Sequence, residues 1–352
     1  MKKVLVTCLA VASVIACTKS NVEFEETTEI GLKPVAHNVT KSMMTGTEFQ
    51  TSESFNVWAF YKQLPAGTTI EKWQAATDVK QTTYIDEKTF ENVKDTKTWH
   101  GVTSYYWPKV GSLLFTAYYP TSAEGKVSYE FSDEVAVENG ENIPAKNQMV
   151  ITDYEQSRVA KTGYSEDLMY ANMTPSSYSA NNVALKFKHA LSWISVVLVK
   201  GDDTPNDATI TVSSVKFTDI LPQGDAVVNN QDVIVWTPEG TAAAVDVVES
   251  TQTLVKKNTN QLAYEPLFIP QPMHDMVITY NIASADADAS NFTETMTVKL
   301  SDLKNDDADK WEPGKHYTYT ITIGTTEILV APSVTPWDGV SYTVPVENPA
   351  EL

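Results

Sequence analysis

Residues 316–324 alternate without a break. Tyr317, Tyr319, Ile321 and Ile323 share one parity, and Thr318, Thr320 and Thr322 share the other. Successive side chains of a strand point to opposite faces, so this pattern predicts a half-buried strand and opposes a helix of period 3.6. The same pattern recurs along the chain. Leu113, Phe115, Ala117 and Tyr119 show it ahead of Pro120. Phe55, Val57, Ala59 and Tyr61 show it ahead of Pro65-Ala66-Gly67, and Met296, Val298 and Leu300 form a further set. Val183, Leu185 and Phe187 begin a strand whose parity then flips to Ile194, Val196 and Leu198. A flip of parity requires a bulge or one short turn over His189-Ala190-Leu191-Ser192, because an unbroken strand would turn its apolar set to the wrong face. Short helices are expected only near 70–77 and 301–306. With 16 tyrosines, 8 tryptophans and abundant threonine and valine, composition also favours strand. The fold class that follows is all-β.

The chain has 352 residues, a two-domain length. A Ser/Asn/Pro-rich segment at 175–182 separates two apolar stretches and marks the expected junction, with a β-sandwich on either side. Residues 18–32 are acidic and weakly patterned, as a tether would be.

The amino terminus carries an export pattern. Lys2 and Lys3 precede an apolar run from Val4 to Val14, which is too short to span a bilayer as a mature helix. The run closes on Ala16-Cys17, the form of a lipobox in which the cysteine thiol would be acylated. An ordinary signal peptide with an incidental cysteine is the alternative. Cys8 lies inside that leader, so a mature fold beginning at Cys17 has neither a disulfide nor a free thiol to use. Net charge is −19, and losing Lys2 and Lys3 makes it −21. That field repels polyanions and excludes nucleic acid as a partner.

Signals for chemistry are sparse. The sequence has no Gly-rich phosphate loop, no H-E-x-x-H and no G-x-S-x-G. Histidines 37, 100, 189, 274 and 316 lack metal-ligand spacing, and His189 and His316 sit inside strand-like segments. Asp286-Ala-Asp288 begins like a calcium loop but has Asn291 in place of the turn glycine and Thr297 in place of the bidentate glutamate. These residues predict no enzyme, no metal and no cofactor.

The two ends of the chain are more informative. In the tail, Val340, Tyr342, Val344 and Val346 fall on one side, opposite Ser341, Thr343 and Pro345. Pro345 cannot donate to a ladder, so the tail reads either as a last edge strand or as a strand donated to another subunit's sheet. Residues 31–42 can supply a first strand that ends in Lys41. If a protease removed that strand, an open groove with unpaired backbone groups would remain.

Several spaced signatures resemble the fimbrillins, the lipoprotein-derived (type V) pilins of gut and oral Gram-negative anaerobes. They are the lipobox at Cys17; Ser54-Phe-Asn-Val-Trp-Ala-Phe-Tyr; Tyr106-Trp-Pro; and Leu114-Phe-Thr-Ala-Tyr-Tyr-Pro. Asp167-Leu-Met-Tyr-Ala and Val183-Ala-Leu-Lys-Phe-Lys-His-Ala-Leu-Ser-Trp-Ile follow, then Trp311-Glu-Pro-Gly-Lys-His-Tyr-Thr-Tyr-Thr-Ile and Val334-Thr-Pro-Trp-Asp. The resemblance implies two tandem transthyretin-like antiparallel β-sandwiches. It further implies outer-membrane export through acylated Cys17, proteolytic loss of the first strand, and polymerisation with other fimbrial subunits by strand insertion, supporting adhesion. On this reading residues 1–17 are the signal and 18–40 the tether with the removable strand. Residues 41–180 and 181–339 are the two sandwiches, and 340–352 is the donor tail carrying Val340, Tyr342, Val344 and Val346. Fimbrillins are typically cut after arginine, which this segment lacks; Lys41 is the substitute, with Lys33 behind it because Pro34 hinders cleavage there. A subunit never cut, retained as a lipid-anchored base, is the alternative fate. The competing function is a monomeric surface lipoprotein that binds glycan or a host ligand through Trp73, Trp99 and Trp236.

Overall fold

The structure is a computed structural model. It describes residues 28–36 and 49–337, apart from 50, 66, 93–96, 133–134, 137–141, 144–145, 156–166, 177–182, 206, 230, 249, 255–260, 284–291, 304–308 and 325–327. Strands dominate. One seven-stranded sheet runs in the order β1 (Leu32–Ala36), β11 (Val183–His189), β10 (Met169–Ser176), β5 (Ser112–Tyr119), β2 (Phe55–Lys62), β3 (Thr82–Glu91), β4 (His100–Gly101). A second sheet runs β18 (Gln261–Tyr264), β12 (Ser192–Lys200), β22 (Lys315–Ile323), β23 (Ile328–Pro336), with β19 (Leu267–Phe268) also on β12. A third runs β16 (Ala243–Asp246), β13 (Thr209–Ile220), β20 (Asp275–Ala283), β21 (Phe292–Lys299), with β17 (Gln252–Leu254) also on β13. The fourth runs β15 (Ile234–Glu239), β14 (Gln223–Val228), β9 (Lys146–Glu155), β6 (Val127–Ser132), and β7 (Val135–Ala136) pairs with β8 (Asn142–Ile143).

Among the described strands pairing is antiparallel except where β1 lies parallel to β11 and β12 lies parallel to β22. The described residues build two hydrophobic cores. The first gathers Phe55, Trp73, Phe90, Phe115 and Phe187, and it also takes Ala226, Val228 and Ile234 from the β14–β15 hairpin. The second gathers Ile194, Phe217, Phe268, Trp311 and Tyr319.

The parity flip marks the passage between them. Strand β11 buries Val183, Leu185, Phe187 and His189 in strict alternation. After Ala190 and Leu191 the chain re-enters as β12 in a different sheet, with Ile194, Val196 and Leu198 in the second core. Strand β22 buries Tyr317, Tyr319, Ile321 and Ile323, as its alternation predicts. Strands β2 and β5 differ from expectation. Both faces are covered, because Trp58, Phe60 and Leu114 on the second parity are also buried. These two strands sit mid-sheet, with the β14–β15–β9–β6 layer contributing Ile151 and Val228 to the same core.

One α-helix (Ile70–Ala75) is capped by Thr69, whose hydroxyl accepts from the Lys72 N–H. Its Trp73 is wholly buried, with the indole N–H donating to Gln81 at 3.2 Å. A 3-10 turn at Leu300–Leu303 occupies part of the second expected helix.

Candidate functional site: the lane of the first strand

The first strand is held on two sides. On one it runs parallel to β11, from Leu32 opposite Val183 to Ala36 opposite Phe187, and Val183 N–H donates to Gly31 O at 3.1 Å. On the other, Leu32 and Trp99 exchange backbone bonds of 2.9 Å in each direction. Ile30 N–H donates to Tyr105 O at 2.7 Å, and Trp107 N–H donates to Thr28 O at 3.2 Å. Trp99 directly precedes β4, so the two outer strands of the seven-stranded sheet meet through this segment. Residues 28–36 therefore lie in a lane flanked by the 99–107 backbone along Thr28–Leu32 and by β11 along Gly31–Ala36, the two flanks overlapping at Leu32.

Side chains lock the strand in the same lane. Ile30 and Leu32 are completely buried and Pro34 is buried, while Lys33 points outward and is exposed. The core they join is aromatic: Phe49 meets Phe187 at 4.8 Å and Phe55 at 5.8 Å, and Phe55 meets Trp99 at 6.4 Å. At the lane's mouth His100 Nδ1 lies 3.6 Å from Glu29 Oε2. Leaving the lane empty would expose two large aliphatic positions and several backbone groups at once, which is costly unless another strand takes their place.

Of the site residues named from sequence, Lys33 is placed here, opposite Ala184 of β11. Cys17, Lys41, Val340, Tyr342, Val344 and Val346 lie outside the described residues, as does the Asp286-Ala-Asp288 segment. Sequence reasoning missed Ile30, which stands just before the segment expected to form the strand, and the partner backbone at Trp99, Tyr105 and Trp107. The only signal for the latter was the density of aromatics around Tyr106-Trp-Pro.

The glycan-platform reading is corrected by burial. Trp73 and Trp99 lie in the first core, and Trp236 is half-buried, its indole N–H donating to Ala190 O at 2.8 Å. None offers an open ring face of the kind such a platform needs, since all three pack into the β layers.

Two polar clusters resemble catalytic groupings and fail on geometry. His189 Nδ1 lies 2.8 Å from Asp167 Oδ2, with both side chains almost wholly buried. Trp337 stacks on the His189 ring at 3.8 Å, and Nε2 has no hydrogen-bond partner, so no hydroxyl or thiol stands ready for activation. Ser195 Oγ lies 2.7 Å from His316 Nε2 and donates to Glu265 Oε1 at 3.1 Å. Ser195 is only 2% exposed, so its hydroxyl is closed off by the surrounding sheet from any substrate it could attack. Burial pulls the His316 pKa down to about 4 and pushes that of Glu265 up. His316 also stacks on Trp193 at 3.5 Å, a packing role.

A sequence model described as fimbrillin-like matches residues 40–337. The chain belongs to the fimbrillin-like family. Among solved structures, a fimbrial protein from Bacteroides vulgatus is similar at TM-score 0.57 and 16% identity, covering 87% of this chain and 99% of its own. At that identity the likeness speaks to fold, and the fold is the β-rich one described above. The tip fimbrial protein Mfa3 from Porphyromonas gingivalis, with a C-terminal truncation, aligns over 88% of this chain and 99% of its own at TM-score 0.40 and 9% identity. No curated protein matches.

Proposed function

We propose that this fimbrillin-like chain is a structural, non-enzymatic fimbrial subunit that polymerises by strand exchange. The observation that carries the reading is the lane of residues 28–36, which is bonded to the 99–107 backbone along its first half and to β11 along its second, and buries Ile30 and Leu32 completely. Such a lane can pass from one strand to another with the same alternation. The tail offers that alternation at Val340, Tyr342, Val344 and Val346. Export as an outer-membrane lipoprotein through Cys17 would deliver the subunit. Cleavage after Lys41 would then free the first strand, and the growing fimbrium would support adhesion at the cell surface. Lys33 is the weaker cleavage position, because it lies inside a paired strand and Pro34 follows it. The domain scheme that accompanies this reading is a sandwich over 41–180, a second over 181–339 and the tail over 340–352. Because one surface complements another without closing a ring, assembly is open-ended.

The test is a detergent-resistant high-mass ladder from the expressing cell, together with mass spectrometry of the mature amino terminus. The reading expects the ladder to vanish when residues 340–352 are deleted, and the assembled subunit to begin at Ser42. A processed protein that stays monomeric, with the deletion changing only stability, overturns it. A terminus at acylated Cys17 identifies the anchored base form instead.

A further inference from the structure

Among the described residues, the sheets differ in how their edges are protected. Strand β23 carries Pro332 and Pro336, and β15 carries Pro238. Strands β4, β16, β17, β18 and β19 have four residues or fewer. Strand β1 is bonded on its second flank at Leu32, and β6, six residues long, packs its Tyr129 ring 4.6 Å and its Phe131 ring 6.3 Å from Phe60. Proline and brevity are ordinary devices against unwanted strand pairing.

Strand β21 has none of them. It is eight residues long, without proline or glycine, and pairs with β20 through an unshifted register from Phe292 opposite Ile282 to Lys299 opposite Asp275. Among the described residues its other edge meets no strand. Phe292, Thr293, Glu294 and Thr295 are all exposed, Phe292 by 53%. We propose that this edge pairs with the same edge of a second copy of this chain, antiparallel and centred on Thr295.

The register follows from the sequence of the strand. A two-fold axis through Thr295 sets Thr295 opposite itself, Thr293 opposite Thr297, Glu294 opposite Met296 and Phe292 opposite Val298. No like charges face each other, and the exposed Phe292 gains an apolar neighbour. Centring on Glu294 would place two carboxylates directly opposite, which is repulsive in a chain already at −19. Centring on Met296 leaves Phe292 beyond the paired strand. On the outer face the hydroxyls of Thr279 and Thr295 already meet at 3.1 Å, so the pairing extends an existing threonine row across the axis. The contact is isologous and closes at two copies. It uses neither the tail nor the first strand, and so stands or falls independently of strand exchange.

The test is sedimentation equilibrium of the uncut chain up to about 1 mM, the range in which small interfaces associate. The wild-type chain is expected to rise to dimer mass. Thr295→Glu and Thr295→Lys, each placing like charges opposite, are expected to remain monomeric with unchanged circular dichroism, and an equimolar mixture is expected to restore the dimer. A wild-type chain that stays monomeric over the whole range overturns the proposal. So do single variants that dimerise as the wild type does, or a mixture that fails to rescue.

Discussion

Truncating Leu32 to alanine tests whether the first strand is structurally seated. Leu32 has no exposed surface and lies in the first core, so the change removes three carbons from a closed environment. Buried Leu→Ala changes cost about 3–5 kcal/mol, the upper part arising where the surroundings cannot collapse. The backbone bonds between Leu32 and Trp99 survive the change, so only packing is lost, and a cost of at least about 3 kcal/mol is expected. At roughly 2–4 °C per kcal/mol, the melting temperature of the unit containing Leu32 falls by at least about 6–12 °C. The control is its neighbour Lys33→Ala, exposed on the same strand, expected within about 0.5 kcal/mol of wild type. Calorimetry reads the transition, and near-ultraviolet circular dichroism shows that the aromatic core survives. If Leu32→Ala melts where Lys33→Ala does, residues 28–36 do not contribute to the core and the lane argument fails.

Other consequences follow from the same packing. Trp337→Ala removes a 2% exposed ring stacked on His189 and should cost about 3–5 kcal/mol by urea denaturation. His316 is held neutral by burial, with a pKa of about 4 against an ordinary 6.5. The unfolded chain therefore takes up a proton that the folded chain refuses. The stability contribution is whole above pH 6.5 and is lost as pH falls toward 4, by at most about 3 kcal/mol. His316→Phe should flatten that part of the urea-midpoint profile between pH 7 and pH 4; an unchanged slope refutes the assignment. Gly111→Ala meets two obstacles, a φ of +95° and the Tyr61 ring against the new methyl group, and should lower the melting temperature measurably where Gly67→Ala, with open space around it, suffers only the backbone strain.

Alternation made much of the fold legible. Strand β22 and the handover at Ala190-Leu191 follow from parity alone, since a side chain on the wrong parity would face the wrong layer. The two-sided burial of β2 and β5 was harder to see, although Trp58, Phe60 and Leu114 were in plain view. Reading a single parity hides a strand that is covered on both faces. The pairing of β14 with β9 and the bridge from Leu32 to Trp99 join residues far apart in the chain, and local pattern does not encode such partners. The tryptophans show the same limit: nothing in the sequence distinguishes a buried Trp99 from an exposed one. The lane itself was half legible, as an alternating, lysine-punctuated segment whose flanking backbone only the fold supplies.

The short handover between β11 and β12 has a mechanical consequence. In a fibre assembled as proposed, tension would enter a subunit through the strand lying along β11 and leave through the chain end beyond β23. Strand β11 passes into β12 across only two residues, and β12 lies parallel to β22, which in turn holds β23. The pull would run lengthwise down this line of neighbouring strands, so their hydrogen bonds would resist together in shear instead of unzipping one by one. The loaded strands also carry core side chains, Phe187 in the first core and Ile194 and Tyr319 in the second, so packing would stiffen the same axis.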